Sequence, residues 1–168
     1  DATIEVVHDS PTRTEITTEW NFDNTLRKYQ AEAINQAQSY NGGIIAIPTG
    51  GGKTIVALKL LNMLEQKSII FVHTKQLLNQ WEQRVEEILG ISPAIIGGDQ
   101  WEEGNITVAS MQKVHSQGAE NLDADYGISI FDECHVTSAA ETMQDIGLSI
   151  NVEWRFGLSA TPWRANPG

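Results

Sequence analysis

A glycine-rich segment followed by lysine and threonine has the composition of a phosphate-binding loop. Successive glycines let backbone N–H groups converge on a phosphate. Lys53 could neutralise the β- and γ-phosphates of a nucleotide, and the Thr54 hydroxyl could ligate Mg²⁺. The residues expected to contact the nucleotide here are Thr49, Gly50, Gly51, Gly52, Lys53 and Thr54. The usual pattern G-x-x-x-x-G-K-[ST] has glycine where this chain has Ile47, and a plain glycine-rich turn is the alternative.

Two adjacent carboxylates follow a strongly apolar segment further along the chain. Residues 128–131 are followed directly by Asp132, Glu133, Cys134 and His135. Asp132 could hold the coordination shell of Mg²⁺, while Glu133 could orient an attacking water molecule or accept its proton. His135 could sense the γ-phosphate or link the site to a neighbouring segment. The alternative is a solvated acidic turn after a strand.

Short apolar runs alternate with amphipathic segments and place both clusters after strands. The runs predict strands over residues 44–47, 68–72, 94–96, 106–109, 128–131 and 155–158. Helices are predicted over residues 24–40, 53–66, 75–89 and 138–147, with Asn24 and Thr74 as N-caps. This order predicts an α/β fold, with a mostly parallel sheet and helices on both faces. Ligands of such sheets bind beyond the carboxyl ends of the strands.

The N-terminal segment has a different character from the rest of the chain. Within residues 1–22, two short strands are predicted over residues 3–7 and 15–19, either as a hairpin or as the remnant of a preceding domain. Residues 23–168 are expected to form one domain, a common size for a single core.

The charge balance and cysteine content narrow the class of protein. The chain of 168 residues has a formal charge of −11, which argues against a broad basic face for nucleic acid but allows a narrow contact strip. Its single cysteine excludes an intrachain disulfide and favours an intracellular compartment. The apolar runs are far shorter than the ~20 residues of a membrane helix. We therefore expect a cytoplasmic protein without a membrane partner. A phage-encoded protein that acts in the cytoplasm of its host cell also fits this expectation.

The order of these features resembles the first RecA-like domain of superfamily 2 DExH helicases, over residues 24–164. Lys53 and Thr54 match motif I, and the Asp-Glu-Cys-His tetrad matches motif II. Further matches are Leu26-Arg27-Lys28-Tyr29-Gln30, Val72-His73-Thr74-Lys75-Gln76-Leu77 (motif Ia), Ile106-Thr107-Val108-Ala109-Ser110 and Ser159-Ala160-Thr161 (motif III). In this superfamily position 47 is commonly not glycine. The combination favours the XPB/UvsW-like branch.

The resemblance implies a P-loop NTPase domain that uses ATP and Mg²⁺. The implied catalytic residues are Lys53, Asp132, Glu133 and His135, with Thr54 and Asp132 as Mg²⁺ ligands. Gln30, with Arg27, would read or clamp the adenine region. Ser159 and Thr161 would couple the ATP site to the nucleic-acid track.

The resemblance also implies sequence-independent contacts with a single strand of nucleic acid. The implied contact residues are Thr74, Lys75, Gly97, Gly98, Ser110 and Gln112, with Lys113 nearby. Their hydroxyls, backbone N–H groups and few cations suit phosphate contacts. Lys75 could equally be an ordinary solvated lysine. With the acidic charge, we expect weak and strongly salt-dependent binding.

Three aromatic residues have alternative interpretations. Trp20 or Phe22 could stack on the nucleotide base or pack in the core. Trp81 shares a helical face with Leu78 and Val85, so we expect it in the core rather than stacked on a base.

The function expected from the resemblance is the ATP-binding part of a DNA helicase or translocase acting in repair or recombination on single-stranded or branched DNA. Hydrolysis in this superfamily uses arginines of a second RecA-like domain, which we expect to be absent from this chain, leaving it nearly inactive alone. A DExH RNA helicase or RNA sensor is one alternative. A nucleotide-binding regulatory module without motor activity is another.

Overall fold

The computed structural model describes residues 16, 20, 22, 24–48, 50–134 and 140–160, and its core is a seven-stranded sheet. The strands are β1 (Gly42–Ala46), β2 (Ser68–Val72), β3 (Ala94–Gly97), β4 (Gln100–Trp101), β5 (Ile106–Ser110), β6 (Ile128–Phe131) and β7 (Trp154–Ser159). Their order in the sheet is β1-β7-β6-β2-β5-β3-β4. Every pairing is parallel except that of β3 with β4. The expected α/β class is confirmed.

Helices cover both faces of the sheet. They are α1 (Lys28–Ser39), α2 (Lys53–Leu64), α3 (Lys75–Leu89), α4 (Met111–Gln117) and α5 (Ala140–Ser149), with a short 3₁₀ turn over Ala119–Asn121. Buried residues of α1, α2 and α3 form one apolar core with the sheet, and those of α4 and α5 form a second. All five residues of β2 are buried, as expected of a central strand covered on both faces. None of the described helices is both long and apolar enough to cross a membrane.

Most predicted elements are present, but several of their ends differ. Strands β2 and β6 and helix α3 have the predicted bounds, and the Thr74 hydroxyl caps α3 by accepting from Leu77 N at 3.1 Å. Helix α1 begins later than predicted, and its N-cap is Arg27 rather than Asn24. The side chain of Gln30 decides this start, because its Oε1 accepts from Arg27 N at 2.8 Å.

Two glycines and one glutamate account for further differences at element ends. Gly42 and Gly43 lie in β1, which therefore starts before the predicted position 44. Helix α2 ends at Leu64 instead of position 66 because Glu65 takes the left-handed conformation, with φ of 50°. Helix α5 corresponds to the predicted helix over residues 138–147, of which positions 138 and 139 lie outside the described residues.

One helix and one strand were not predicted from the sequence. Helix α4 has seven residues, begins at the N-cap Ser110 and ends before Gly118. Strand β4 has two residues and pairs antiparallel with β3. Both are too short to produce a clear hydrophobic period.

The predicted N-terminal strands fall almost entirely outside the described residues. Residues 3–7 are not described, and of residues 15–19 only Ile16 is. Ile16 is buried, and its N–H donates to the carbonyl of Glu65 at 3.0 Å. Ile16 therefore contacts the residue that directly follows α2.

Candidate functional site

The topology of the sheet brings the glycine-rich loop and the carboxylate pair to the same edge. The loop follows β1, the carboxylates follow β6, and β7 is the single strand between β1 and β6. Because these strands are parallel, their carboxyl ends meet at one edge. The predicted convergence of the two clusters is therefore a consequence of strand order.

Lys53 contacts both carboxylates directly. Its Nζ lies 3.2 Å from Oδ1 of Asp132 and donates a hydrogen bond to the carboxylate of Glu133, which stands 80 positions away in the chain. Burial lowers the pKa of Lys53, but the hydrogen bond to Glu133 and the charge of Asp132 outweigh that effect, so the pKa lies above its ordinary value. The two carboxylates therefore favour the charged form of the Lys53 side chain.

Asp132 is buried and held at several points. Its side chain is only 2% exposed, and its N–H donates to the carbonyl of Phe71 on β2 at 3.0 Å. Oδ1 accepts from the N–H of Glu133 at 2.8 Å, and Oδ2 accepts from Nε1 of Trp81 at 2.8 Å. Glu133 itself has a φ of 53°, a conformation that L residues seldom adopt. A buried carboxylate requires such partners because an unpaired buried charge is costly.

The bond from Trp81 was missed by the sequence reasoning. The prediction that Trp81 belongs to the core is confirmed, since it is 2% exposed. A buried indole N–H needs an acceptor, and this need was the signal in the sequence that a polar group must lie beside Trp81.

Two glycines of the loop are required by their surroundings. A Cβ on Gly51 would collide with the side chain of Ile47, which is buried at the position where the usual pattern has glycine. Gly52 has a φ of +78°, and a Cβ there would lie 2.5 Å from Nε2 of Gln30. A Cβ at either position would therefore force Ile47 or Gln30 to move.

The loop is also tied to the start of α1. The carbonyl of Gly51 accepts hydrogen bonds from Nε2 of Gln30 at 2.9 Å and from the hydroxyl of Tyr29 at 2.6 Å. Arg27 lies beside this hydroxyl and donates to it. Gln30 and Arg27 therefore lie beside the loop, where the Gln30 amide uses both its oxygen and its nitrogen. Their contact with adenine stays a prediction. Tyr29 as a loop contact was not predicted.

The remaining predicted nucleotide-site residues have mixed outcomes. Thr54 is half-buried in the first turn of α2, and Ser159 is buried at the end of β7, where its carbonyl accepts from Ile47 N at 3.1 Å. Trp20 and Phe22 pack against the core formed by α1, α2, α3 and the sheet, as expected from the alternative in which they are core residues. Thr49, His135 and Thr161 lie outside the described residues.

The chemistry of these side chains fits a magnesium nucleotide. Mg²⁺ prefers oxygen ligands and is usually held by one or two carboxylates together with substrate phosphates. Asp132, Glu133 and the hydroxyl of Thr54 are oxygen donors of this kind. The twelve-residue helix α2 begins at Lys53, so its free N–H groups and the positive end of its dipole are directed at the loop.

The residues predicted to contact nucleic acid also lie together at the carboxyl edge. They lie at or just after the carboxyl ends of three strands: β2 (Thr74, Lys75), β3 (Gly97, Gly98) and β5 (Ser110, Gln112). Lys75, Gly97, Gly98 and Ser110 line one groove of about 470 Å³. Gln112 joins two of these loops, because its Nε2 donates to the carbonyl of His73 at 2.7 Å and its Oε1 accepts from Ser110 at 3.2 Å.

The charges around this groove are nearly balanced. Lys75 lines it and makes no hydrogen bond or ion pair within the part of the chain that the structure describes. Lys113 donates to the carbonyl of Gly98. Glu82 and Asp99 line the same groove with negative charge. With this balance of charges, weak binding to a phosphate backbone stays our prediction.

Comparisons with known proteins identify relatives for most of the chain. The family model described as "Type III restriction enzyme, res subunit" matches residues 23–164. The DNA 3'-5' translocase XPB2 of Sulfurisphaera tokodaii is 38% identical over 144 residues, which are 83% of this chain and 31% of that protein. The chain thus spans about a third of the length of this curated relative.

Solved structures show the same architecture. The crystal structure of the UvsW helicase from bacteriophage T4 has a TM-score of 0.68 at 20% identity, covering 90% of this chain and 62% of that chain. The SWI2/SNF2 ATPase core of Sulfolobus solfataricus, in complex with double-stranded DNA, has a TM-score of 0.70 at 16% identity, covering 89% of this chain and 35% of that chain. The expected RecA-like fold is confirmed.

Proposed function

We propose that this chain, which belongs to the family of the type III restriction enzyme res subunit, is the ATP-binding domain of a DNA helicase or translocase. Within superfamily 2, the chain is a RecA-like domain of the XPB/UvsW branch. The observation that carries the proposal is the contact of Lys53 with Asp132 and Glu133 at the end of a glycine-rich loop. The relative named as a DNA translocase supports DNA rather than RNA as the track.

The residues of the loop would hold the triphosphate. Backbone N–H groups at Gly50, Gly51 and Gly52, with the start of α2, would bind phosphate oxygens. Thr54 and Asp132 would hold Mg²⁺, which when bound would offset the negative charge of the phosphates. Gln30 and Arg27 would contact the adenine region, and Thr49 would complete the loop.

Lys53 would exchange partners when nucleotide binds. In the structure its ammonium group bonds Glu133 and Asp132. Phosphate oxygens would compete for the same donors, because charge-assisted hydrogen bonds to phosphate are strong. Release of Lys53 would leave the Glu133 carboxylate able to orient a water molecule and accept its proton. His135, Ser159 and Thr161 would relay the state of this site to the nucleic-acid groove.

The groove would bind the DNA backbone without reading bases. Thr74, Lys75 and Ser110 supply hydroxyls and one cation, and Gly97 and Gly98 allow close backbone approach. Gln112 would hold the loops that follow β2 and β5 in fixed positions relative to each other. Because Glu82 and Asp99 oppose the cation, tight binding would need cations from elsewhere in the whole protein.

The whole protein is proposed to contain a second RecA-like domain. Residues 23–168 would form the first, and residues 1–22 would be its N-terminal strands or the remnant of a preceding domain. Arginines from the second domain would approach the γ-phosphate, a contribution worth roughly 10³–10⁵ in rate in related systems. The protein would act in the cytoplasm, on single-stranded or branched DNA.

The test measures ATP hydrolysis by the full-length protein that contains this chain, alone and with single-stranded DNA, branched DNA or single-stranded RNA. We expect hydrolysis to depend on Mg²⁺ and to rise with DNA. A matched full-length variant carrying Lys53→Ala should lose this hydrolysis.

The other outcomes identify the alternatives. Stimulation by RNA and not by DNA would contradict the DNA assignment and favour an RNA helicase or sensor. Nucleotide binding without stimulation by either nucleic acid would contradict motor activity and favour a regulatory module.

A further inference from the structure

A buried hydrogen bond connects the carboxylate at the candidate metal position to helix α3. Nε1 of Trp81 donates to Oδ2 of Asp132 at 2.8 Å, and the two residues stand 51 positions apart. Both residues are only 2% exposed, so water does not compete for this bond. A hydrogen bond to a charged acceptor in a buried place is strong and directional.

The bond leaves the Asp132 carboxylate little freedom to rotate. Oδ1 is held on the other side by the N–H of Glu133 at 2.8 Å and lies 3.2 Å from Nζ of Lys53. If Lys53 moves to a phosphate, the Trp81 bond and the Glu133 backbone bond remain. Trp81 is therefore the side chain that keeps the carboxylate oriented after its cation has left.

Helix α3 makes the position of Trp81 well defined. The helix runs over Lys75–Leu89, is capped by Thr74, and packs its apolar face, which includes Leu78 and Val85, against the core. The same helix begins at Lys75, which lines the nucleic-acid groove. One rigid element thus carries both a groove residue and the donor that holds Asp132.

We propose that Trp81 is a positioning residue, which orients Asp132 for Mg²⁺ through its indole N–H. This inference rests on the proposed function, because it assumes that Asp132 binds the metal of a nucleotide complex. Packing alone is the competing explanation, since a buried indole contributes apolar contacts whether or not its N–H has a role. The two explanations differ in their effect on metal dependence, because packing acts on stability and not on the Mg²⁺ requirement.

The first experiment uses Trp81→Phe, which keeps an aromatic ring in the core and removes the N–H donor. Mg²⁺ is titrated into the protein with a fluorescent, non-hydrolysable ATP analogue, and urea unfolding is measured in parallel. We expect the variant to need roughly tenfold more Mg²⁺ for half-maximal binding, the scale seen for residues that orient metal ligands. Its affinity for the analogue without Mg²⁺ should equal that of the wild type.

Trp101→Phe is the matched control. The indole of Trp101 also donates to a carboxylate, that of Glu103 at 3.2 Å, but it lies on β4 at the opposite edge of the sheet from β1. The Trp101→Phe variant should therefore need the same Mg²⁺ concentration for half-maximal binding as the wild type. A wild-type requirement in Trp81→Phe would overturn the inference. A wild-type protein that shows no Mg²⁺-dependent binding would instead overturn the proposed function.

A second measurement needs no variant. The indole N–H signals of isotope-labelled wild-type protein are followed by NMR as the Mg²⁺ nucleotide is added. We expect the Trp81 signal to shift, because its acceptor gains a second cation, and the Trp101 signal to stay in place. A Trp81 signal that does not move while nucleotide binds would overturn the inference, even if Trp81→Phe fails to fold.

Discussion

Nζ of Lys53 lies 3.2 Å from Oδ1 of Asp132, although Lys53 begins α2 and Asp132 follows β6. The contact exists because β1 and β6 are parallel and separated only by β7. Lys53 also bonds Glu133, so one cation faces two carboxylates. We expect such a site to accept a phosphate at Lys53 and a metal ion at Asp132 when a magnesium nucleotide binds.

Replacing Lys53 by alanine should greatly weaken nucleotide binding. The variant loses a charged donor, and hydrogen bonds to charged groups contribute about 1.5–3 kcal/mol, which corresponds to roughly a 10- to 100-fold loss of affinity. Calorimetric titration with Mg²⁺ and ATP measures the change. Lys59→Ala on the same helix is the control, since Nζ of Lys59 lies over the ring of Phe22. Unchanged affinity in Lys53→Ala would show that the loop is assigned wrongly.

Replacing Gln30 by alanine should destabilise the domain and loosen the loop. The variant loses two hydrogen bonds of a buried side chain, one to Gly51 and one from Arg27. We expect the free energy of unfolding to fall by about 1–3 kcal/mol, the cost of leaving buried polar groups unpaired. Urea denaturation measures this, with the exposed Gln36→Ala on the same helix as control. Equal stability of the two variants would contradict the anchoring role.

Two glycines of the loop should respond differently to alanine. Both have positive φ, 81° at Gly50 and 78° at Gly52. A Cβ on Gly50 would meet nothing within 4 Å, while one on Gly52 would lie 2.5 Å from Gln30. Gly50→Ala should therefore cost only about 1–2 kcal/mol of backbone strain. Gly52→Ala should cost more in urea denaturation and also weaken nucleotide binding, and equal costs would exclude the clash.

The groove charges should control the binding of single-stranded DNA in opposite directions. Lys75→Ala should weaken binding and reduce the slope of log affinity against log salt by about 0.7, the value for one phosphate contact on a single strand. Asp99→Asn should strengthen binding, because it removes a negative charge that lines the groove. Fluorescence anisotropy over a salt series measures both. Lys28→Ala, at an exposed residue of α1, is the control, and an equal effect there would argue against the groove.

Alkaline pH should destabilise the fold through Lys67 and Tyr126. Burial lowers the pKa of Lys67, but its hydrogen bonds to Asp123 and Asp125 outweigh that effect, so the pKa lies above its ordinary value. Burial also raises the pKa of Tyr126. A group whose pKa is raised by folding stabilises the folded state fully at pH values below its pKa in the unfolded chain, which is 10.5 for Lys67 and 10.0 for Tyr126. This contribution is lost as the pH rises towards the pKa of the folded state.

The free energy of unfolding should therefore decline above pH ~10, by up to about 1.4 kcal/mol per pH unit for each group. Urea denaturation at a series of pH values measures the slope. Tyr126→Phe removes one titrating group and should make the decline shallower. An unchanged slope would show that Tyr126 does not contribute.

Local patterns were sufficient for the parts of the fold that depend on neighbouring residues. The bounds of α3 followed from its apolar spacing and the cap at Thr74, and those of β2 and β6 from continuous apolar runs. The loop before Lys53 and the carboxylates after β6 were recognisable because backbone freedom and strand ends are properties of short segments. Their roles in nucleotide and metal binding stay predictions.

The amino-acid order alone therefore determined the class of fold and the two clusters that meet at its edge. Only the folded chain decided how their atoms are paired: Trp81 with Asp132, Tyr29 and Gln30 with the carbonyl of Gly51, and Lys53 with both acids. These contacts join segments far apart in the chain, so no local period predicts them. They depend on strand order and helix packing, which follow from burial of the whole apolar surface.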